Sequence, residues 1–186
     1  MNNLPLWQFI YRQLIQNEPV ILLLVLESKG SSPGRQGFKM AVTKNQMSGY
    51  IGGGIMEHKF VEMAREKLSE AVVESQIKKQ FHNKSAGNNQ SGMICSGEQT
   101  IFLYRLNEGD RLSIENLIAS LSQHQNGTLT VTRNGIQFSN NVPEKDLYFE
   151  MTADDNWCYI EKSGYKNHLH IIGGGHCALG NIATHI

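Results

Sequence analysis

The sequence is short of several things, and each shortage excludes a class of protein. It has 3 cysteines, Cys95, Cys158 and Cys177, odd in number and far apart. They form no disulfide framework and fit a reducing compartment, so the cytoplasm is the expected location. It has no excess of either charge: Lys+Arg and Asp+Glu are both 17, the net charge is zero, and no like-charge block occurs. General nucleic-acid binding needs a basic footprint, and an electrostatic membrane anchor needs a basic cluster; neither is present. Long apolar runs are missing too. The longest, Val20 to Leu26, is far below the roughly 20 residues of a membrane-spanning helix and fits a buried strand. The opening MNNLPLWQFI has no basic region ahead of an apolar stretch, so no secretory signal is expected.

What the chain has is glycine, 18 in 186 residues and unevenly placed. The length suits one ordinary domain, or one domain and part of another. Hydrophobic spacing predicts a helix over Leu4–Asn17, a buried strand over Val20–Glu27 and a loop over Lys29–Gly37. A strand over Phe38–Thr43, a turn over Asn45–Gly49 and a helix over Ile55–Val73 follow, the last with Phe60, Val61, Ala64, Leu68 and Val72 facing the core. Further strands are expected over Ile77–Phe81, Gln99–Leu106, Thr128–Thr132, Ile136–Ser139, Leu147–Met151 and Trp157–Glu161, with a helix from Asp110 to Leu121. Polar residues 82–92 read as a loop and Ser163–Asn167 as a linker. The fold class is α/β.

Two glycine-bearing loops carry the first chemical signal. After Ile51 come Gly52, Gly53 and Gly54, and then a helix. Residues without a Cβ adopt positive φ and let a ligand approach the backbone, while free N–H groups at a helix start favour an anion such as phosphate. Glu57, in the first turn and four residues before core-facing Val61, should lean toward the protein body, where its carboxylate could accept from a heterocycle's N–H groups. The plainer alternative is a tight strand-to-helix turn in which Glu57 complements the helix dipole. The earlier loop offers Ser31, Ser32 and Arg35, hydroxyls and a fork-shaped cation suited to phosphate, or else an ordinary surface loop with a solvated arginine.

Residues 26–58 resemble the N-terminal motif of the xanthine dehydrogenase accessory proteins, the XdhC/CoxI family, roughly G-S-x-P-R-x-x-G-x-x-M, a turn, then G-x-I-G-G-G-x-x-E. Gly30, Ser31, Pro33, Gly37, Met40, Gly49, Ile51, Gly52 to Gly54 and Glu57 match; Gly34 stands at the usual arginine position and Arg35 follows it. A second match is the family's Cys-Gly-Gly before a Glu and an apolar strand, here Cys95-Ser96-Gly97-Glu98. Cys95 sits in a Ser/Gly loop whose N–H groups could lower its pKa, though on its own a lone cysteine reads first as an inert small hydrophobe.

His168 to Ile172 followed by Gly173-Gly174-Gly175-His176-Cys177-Ala178 reads as a strand, a G-x-G-x-x-A turn and a helix start. That is the opening of a dinucleotide-binding unit, with Gly173, Gly175 and Ala178 as the NAD(P)-binding positions. The acidic residue expected roughly 20 positions later would fall beyond Ile186. The expected organisation is therefore an α+β domain over 1–162, and over 163–186 a linker and the first strand-turn-helix of a truncated Rossmann-like domain. A lone βα fragment cannot bury its apolar face, so a second chain, including another copy of this one as a homodimer, is a candidate to complete it. His168, His170 and His176 make no convincing metal set, and no metal is expected.

The resemblance implies a maturation factor for molybdenum hydroxylases of the xanthine dehydrogenase type. Such a factor binds molybdenum cofactor (molybdopterin), keeps it during sulfuration and passes it to the apoenzyme, with that enzyme and a cysteine desulfurase as partners. It implies an accessory protein rather than an enzyme, with Cys95 facing the metal or its sulfur. The competing readings are an NAD(P)-dependent oxidoreductase using the Gly173–Ala178 loop, and a nonfunctional or purely interacting remnant.

Overall fold

In a computed structural model the described residues are 3–70, 75–81, 97–152 and 156–165. Helix α1 (Leu4–Ile15) has Pro5 in its first turn and buries Leu6, Trp7, Phe9, Ile10 and Leu14, one apolar stripe at helical spacing. The chain then enters β1 (Ile21–Gly30), β2 (Lys39–Val42), β3 (Met47–Gly49), α2 (Gly54–Leu68), β4 (Gln76–Phe81) and β5 (Gly97–Arg105). A short 3₁₀ turn at Glu108–Asp110 leads into α3 (Arg111–Ser122), and β6 (Gly127–Thr132), β7 (Gly135–Ser139), β8 (Leu147–Met151) and β9 (Trp157–Ser163) follow.

The strands form two antiparallel sheets, ordered β3-β2-β1-β5-β4 and β7-β6-β9-β8. The apolar run read from the sequence is the central strand of the first sheet, covered on both faces. Ile21, Leu23 and Val25 join Met56, Phe60, Val61 and Ala64 of α2 in one core. Leu22, Leu24 and Leu26 point the other way and pack with α1, α3 and the inner face of the second sheet, including Leu129, Val131, Trp157 and Tyr159. A period of two puts successive side chains on opposite faces, so one strand anchors both cores.

The α/β expectation holds, with local differences at element ends. Lys29 and Gly30, expected in a loop, extend β1 because they pair with Glu98 and Gly97 of β5. Met47–Gly49, expected as a turn, forms the edge strand β3 against Met40–Val42. Ser163, expected in a linker, pairs with Gly127 as the last residue of β9. Helix α2 stops at Leu68 rather than running on to Val73, and Val72 and Val73 themselves lie outside the described residues. The expected loop over 82–92, the cysteine loop through Ser96 and the proposed Rossmann-like opening over 168–178 also lie outside them.

Candidate functional site

The two glycine loops are packed against each other, backbone on backbone. Gly30 ends β1 at φ 64°, and the chain folds back so that the Gly37 N–H donates to the Val25 carbonyl at 2.9 Å and Gln36 N–H to Ser28 Oγ at 3.2 Å. Within this loop Gly34 is buried so tightly that a Cβ there would lie 2.0 Å from the Ile51 carbonyl oxygen and 2.1 Å from Gln99 Nε2. A Cβ on Gly52 would in turn lie 2.7 Å from the Gly34 nitrogen. Buried Gln99 fixes the junction, its side-chain amide donating to the Ile51 carbonyl at 3.3 Å. The residue standing where the family motif usually has arginine is thus a glycine in a position with no room for a side chain.

Gly52, Gly53 and Gly54 all take positive φ, 136°, 72° and 67°, conformations that other residues rarely adopt. Gly53 is the N-cap of α2, and its side-chain position is open, with nothing within 4 Å of a built Cβ. Glu57 leans back over this loop: its Oε2 accepts the Ile51 N–H at 2.9 Å and the Gly53 N–H at 3.0 Å. The carboxylate therefore clamps its own loop and complements the helix dipole. A contact from Glu57 to a heterocycle would fall to its other oxygen.

The remaining expected residues are not gathered at one point. Ser31 is exposed next to the start of β5, where a Cβ on Gly97 would lie 2.8 Å from the Ser31 carbonyl, while Ser32 is buried. Arg35 is exposed and lines a different cavity, one whose walls do not include Gly52, Gly53 or Gly54. Cys95 lies outside the described residues, as do Gly173, Gly175 and Ala178.

Two polar clusters were not anticipated from the sequence. Lys39 of β2 is 3% exposed, and its ammonium donates to the Gly37 carbonyl at 2.8 Å and to Glu161 Oε2 of β9, which also accepts the Tyr159 hydroxyl at 2.6 Å. This buried ion pair bridges the two sheets. The second cluster centres on Asp110, which accepts from Tyr104 Oη at 3.0 Å, Asn107 N–H at 2.9 Å and Ile136 N–H at 2.9 Å. Burial, and then the adjacent carboxylates, push the Tyr104 and Tyr159 hydroxyls above their ordinary value. Burial, and then Glu150, push the Cys158 thiol up, which disfavours its thiolate form. Among the described residues no three His, Cys, Asp or Glu side chains gather as a metal site, and no helix is long and apolar enough to cross a membrane.

Comparison with known proteins bears on the same segment. Residues 14–75 match the model of the XdhC and CoxI family. No curated protein matches the chain. Among solved structures, a xanthine dehydrogenase from Bacillus halodurans is similar, with a TM-score of 0.56 and 13% identity. The match covers 91% of this chain and 46% of that one, so the chain spans just under half of that structure's length. At this identity the likeness is one of fold. The stretch that matches the XdhC and CoxI family, residues 14–75, is the one that holds both glycine loops and the Glu57 clamp.

Proposed function

We propose that the chain works in the maturation of xanthine dehydrogenase-type molybdenum hydroxylases, binding molybdenum cofactor as cargo while its terminal sulfur is installed and then releasing it to the apoenzyme. The observation that supports this is the packed loop pair inside the family-matched segment, with an open backbone face at Gly53 beside it. The residues fit the cargo in part. The open Gly53–Gly54 backbone at the start of α2 and the exposed Ser31 hydroxyl suit a phosphate group. Glu57 and Gln99 act as positioning residues, because both are bonded to the loop that would carry the cargo. Arg35 is set apart from this face. Cys95 is proposed to meet the metal or its sulfur; the described chain resumes two positions later at Gly97, which pairs with Gly30 at the mouth of the first loop.

In this reading the partners are the apoenzyme, a cysteine desulfurase and a second copy of the chain, in the cytoplasm. The domain proposal becomes a cofactor-binding unit that includes Ser163, since β9 runs to that residue, followed by the start of a Rossmann-like unit. Anaerobic equilibrium dialysis against molybdenum cofactor tests the central claim. Saturable binding that weakens in Cys95→Ala and in Glu57→Ala supports it; equal affinity in all three proteins rejects it. A thermal shift with NAD(H) or NADP(H) and none with the cofactor would replace it with the dehydrogenase reading, since a ligand that binds the native state stabilises it.

A further inference from the structure

The second sheet, α1, α3 and the loop ahead of β2 line a cavity of about 360 Å³, within the usual range for small-molecule sites. It lies on the face of the first sheet opposite α2, the side that carries Trp7, Leu129 and the second sheet. Trp7, Leu129 and Leu147 supply apolar wall. Polar side chains share the lining, and three of them, Arg35, Glu161 and Ser163, carry the argument.

Each of the three has bonding capacity left over. Glu161 is 9% exposed, and its bonds to Lys39 and Tyr159 both fall on Oε2. A carboxylate offers about four acceptor sites, so the pair with Lys39 balances its charge and fixes its direction without using it up. Ser163 is 8% exposed, and its Oγ has no hydrogen-bond partner among the described residues. A buried hydroxyl left in that state is destabilising, and a ligand that bonds to it recovers the cost. Arg35 is exposed and makes no ion pair among the described residues, leaving its fork of donors for an acid. Glu161 is the one acid of the lining, and Lys39 cancels it, so the positive charges of Arg35 and Lys162 are left unopposed there.

We infer that this cavity binds a flat heterocycle that presents ring and amino N–H donors to Glu161 and Ser163 and carries an acidic group toward Arg35. An apolar ligand would strand all three polar groups, and a bare anion would leave the aromatic wall and the Glu161 acceptor without partners. The site shares Arg35–Gly37 with the first loop but does not include Gly52, Gly53 or Gly54, where the cofactor's phosphate was assigned.

Guanosine monophosphate is a suitable probe, because its ring N–H and amino group stand side by side and it carries a phosphate. Titrated into isotope-labelled protein, it should give saturable shifts at the Trp7 indole and at the amides of residues 161–164. Adenosine monophosphate, with an acceptor where guanine has the ring N–H, and inorganic phosphate should each bind at least about tenfold more weakly. Arg35→Ala should weaken guanosine monophosphate by about tenfold or more, and Ser163→Ala should weaken it measurably, with unchanged melting temperatures. Equal binding of adenosine monophosphate, equal binding by Arg35→Ala, or no saturable shift at these positions would overturn the inference. Shifts confined to residues 51–57 would also overturn it while leaving the cofactor reading intact; loss of cofactor binding with the cavity shifts preserved would do the reverse.

Discussion

Asp110→Ala removes a carboxylate on which three donors converge from three parts of the fold. Oδ2 takes the Tyr104 hydroxyl from β5 and the Asn107 N–H ahead of α3, and Oδ1 takes the Ile136 N–H from β7. The side chain is 3% exposed. After truncation the Asn107 N–H, which is only partly buried, can turn to water, whereas the Ile136 N–H and Tyr104 hydroxyl bonds are buried. Two stranded buried donors at about 1–3 kcal/mol each, both losing an ionised acceptor, give an expected loss of about 3–5 kcal/mol. That is a large share of the roughly 5–15 kcal/mol that holds an ordinary domain together. Asp110→Asn keeps the shape but turns an amino group toward one of the donors, so about 2 kcal/mol should be lost. Tyr104→Phe, which leaves the Ile136 bond in place, should cost about 1 kcal/mol. Urea unfolding followed by tryptophan fluorescence reads all three as shifts in midpoint at constant slope. An Asp110→Ala midpoint that corresponds to less than about 0.5 kcal/mol of loss, or a Tyr104→Phe loss as large as that of Asp110→Ala, would refute the convergence argument.

Lys39→Met should cost about 3–5 kcal/mol because it leaves Glu161 buried with Tyr159 as its remaining partner, and adding Glu161→Gln should recover much of that in a double-mutant cycle. Gly34→Ala should lower the melting temperature far more than Gly53→Ala. The first drives a Cβ to 2.0 Å from a carbonyl oxygen, while the second meets open space and costs about 1–3 kcal/mol for its positive φ with extended ψ. The share of stability that Tyr104 and Tyr159 contribute should be constant from neutral pH to about 10 and then fall. Tyr104 and Tyr159 hold their protons more tightly folded than unfolded, so their contribution is complete below the unfolded value of 10.0 and is lost as pH rises through the folded values; urea midpoints across alkaline pH check this. In a Cys95→Ser, Cys177→Ser background, iodoacetamide should modify Cys158 more slowly in the native protein than in urea at mildly alkaline pH.

What the sequence makes legible here is whatever a short window determines. The unbroken apolar run at Val20–Leu26 can only be buried on both sides, and it proves to anchor both cores. Glycines before a helical stripe mark the start of α2 and the positive φ values that follow from it. The misplaced ends share one cause. Lys29, Gly30, Met47–Gly49 and Ser163 are strand because a partner strand offers them a ladder, and their own composition says turn. Gly34 is a related case: in the motif it looks like a displaced arginine, and the missing fact was the Ile51 carbonyl lying against it from a separate loop.

The Lys39–Glu161 pair spans 122 positions, and no local pattern could join the two residues. Yet each sits in a phase that denies it an exit to water. Lys39 lies on β2, beside the doubly covered β1, and all four residues of β2 are buried, so neither face of that strand is solvated. Glu161 falls in step with Trp157 and Tyr159 along β9, on the face those aromatics turn inward. A charge in an inward phase must either be neutralised or find its opposite, since leaving it alone in the interior costs several kcal/mol. One basic and one acidic residue in this position on two different sheets therefore imply that the two faces meet. Sequence pattern alone can raise that inference once both strands are recognised as covered. What it cannot supply is the cavity beside the pair, because that depends on how the loop carrying Arg35 is set against β9, which carries Glu161 and Ser163.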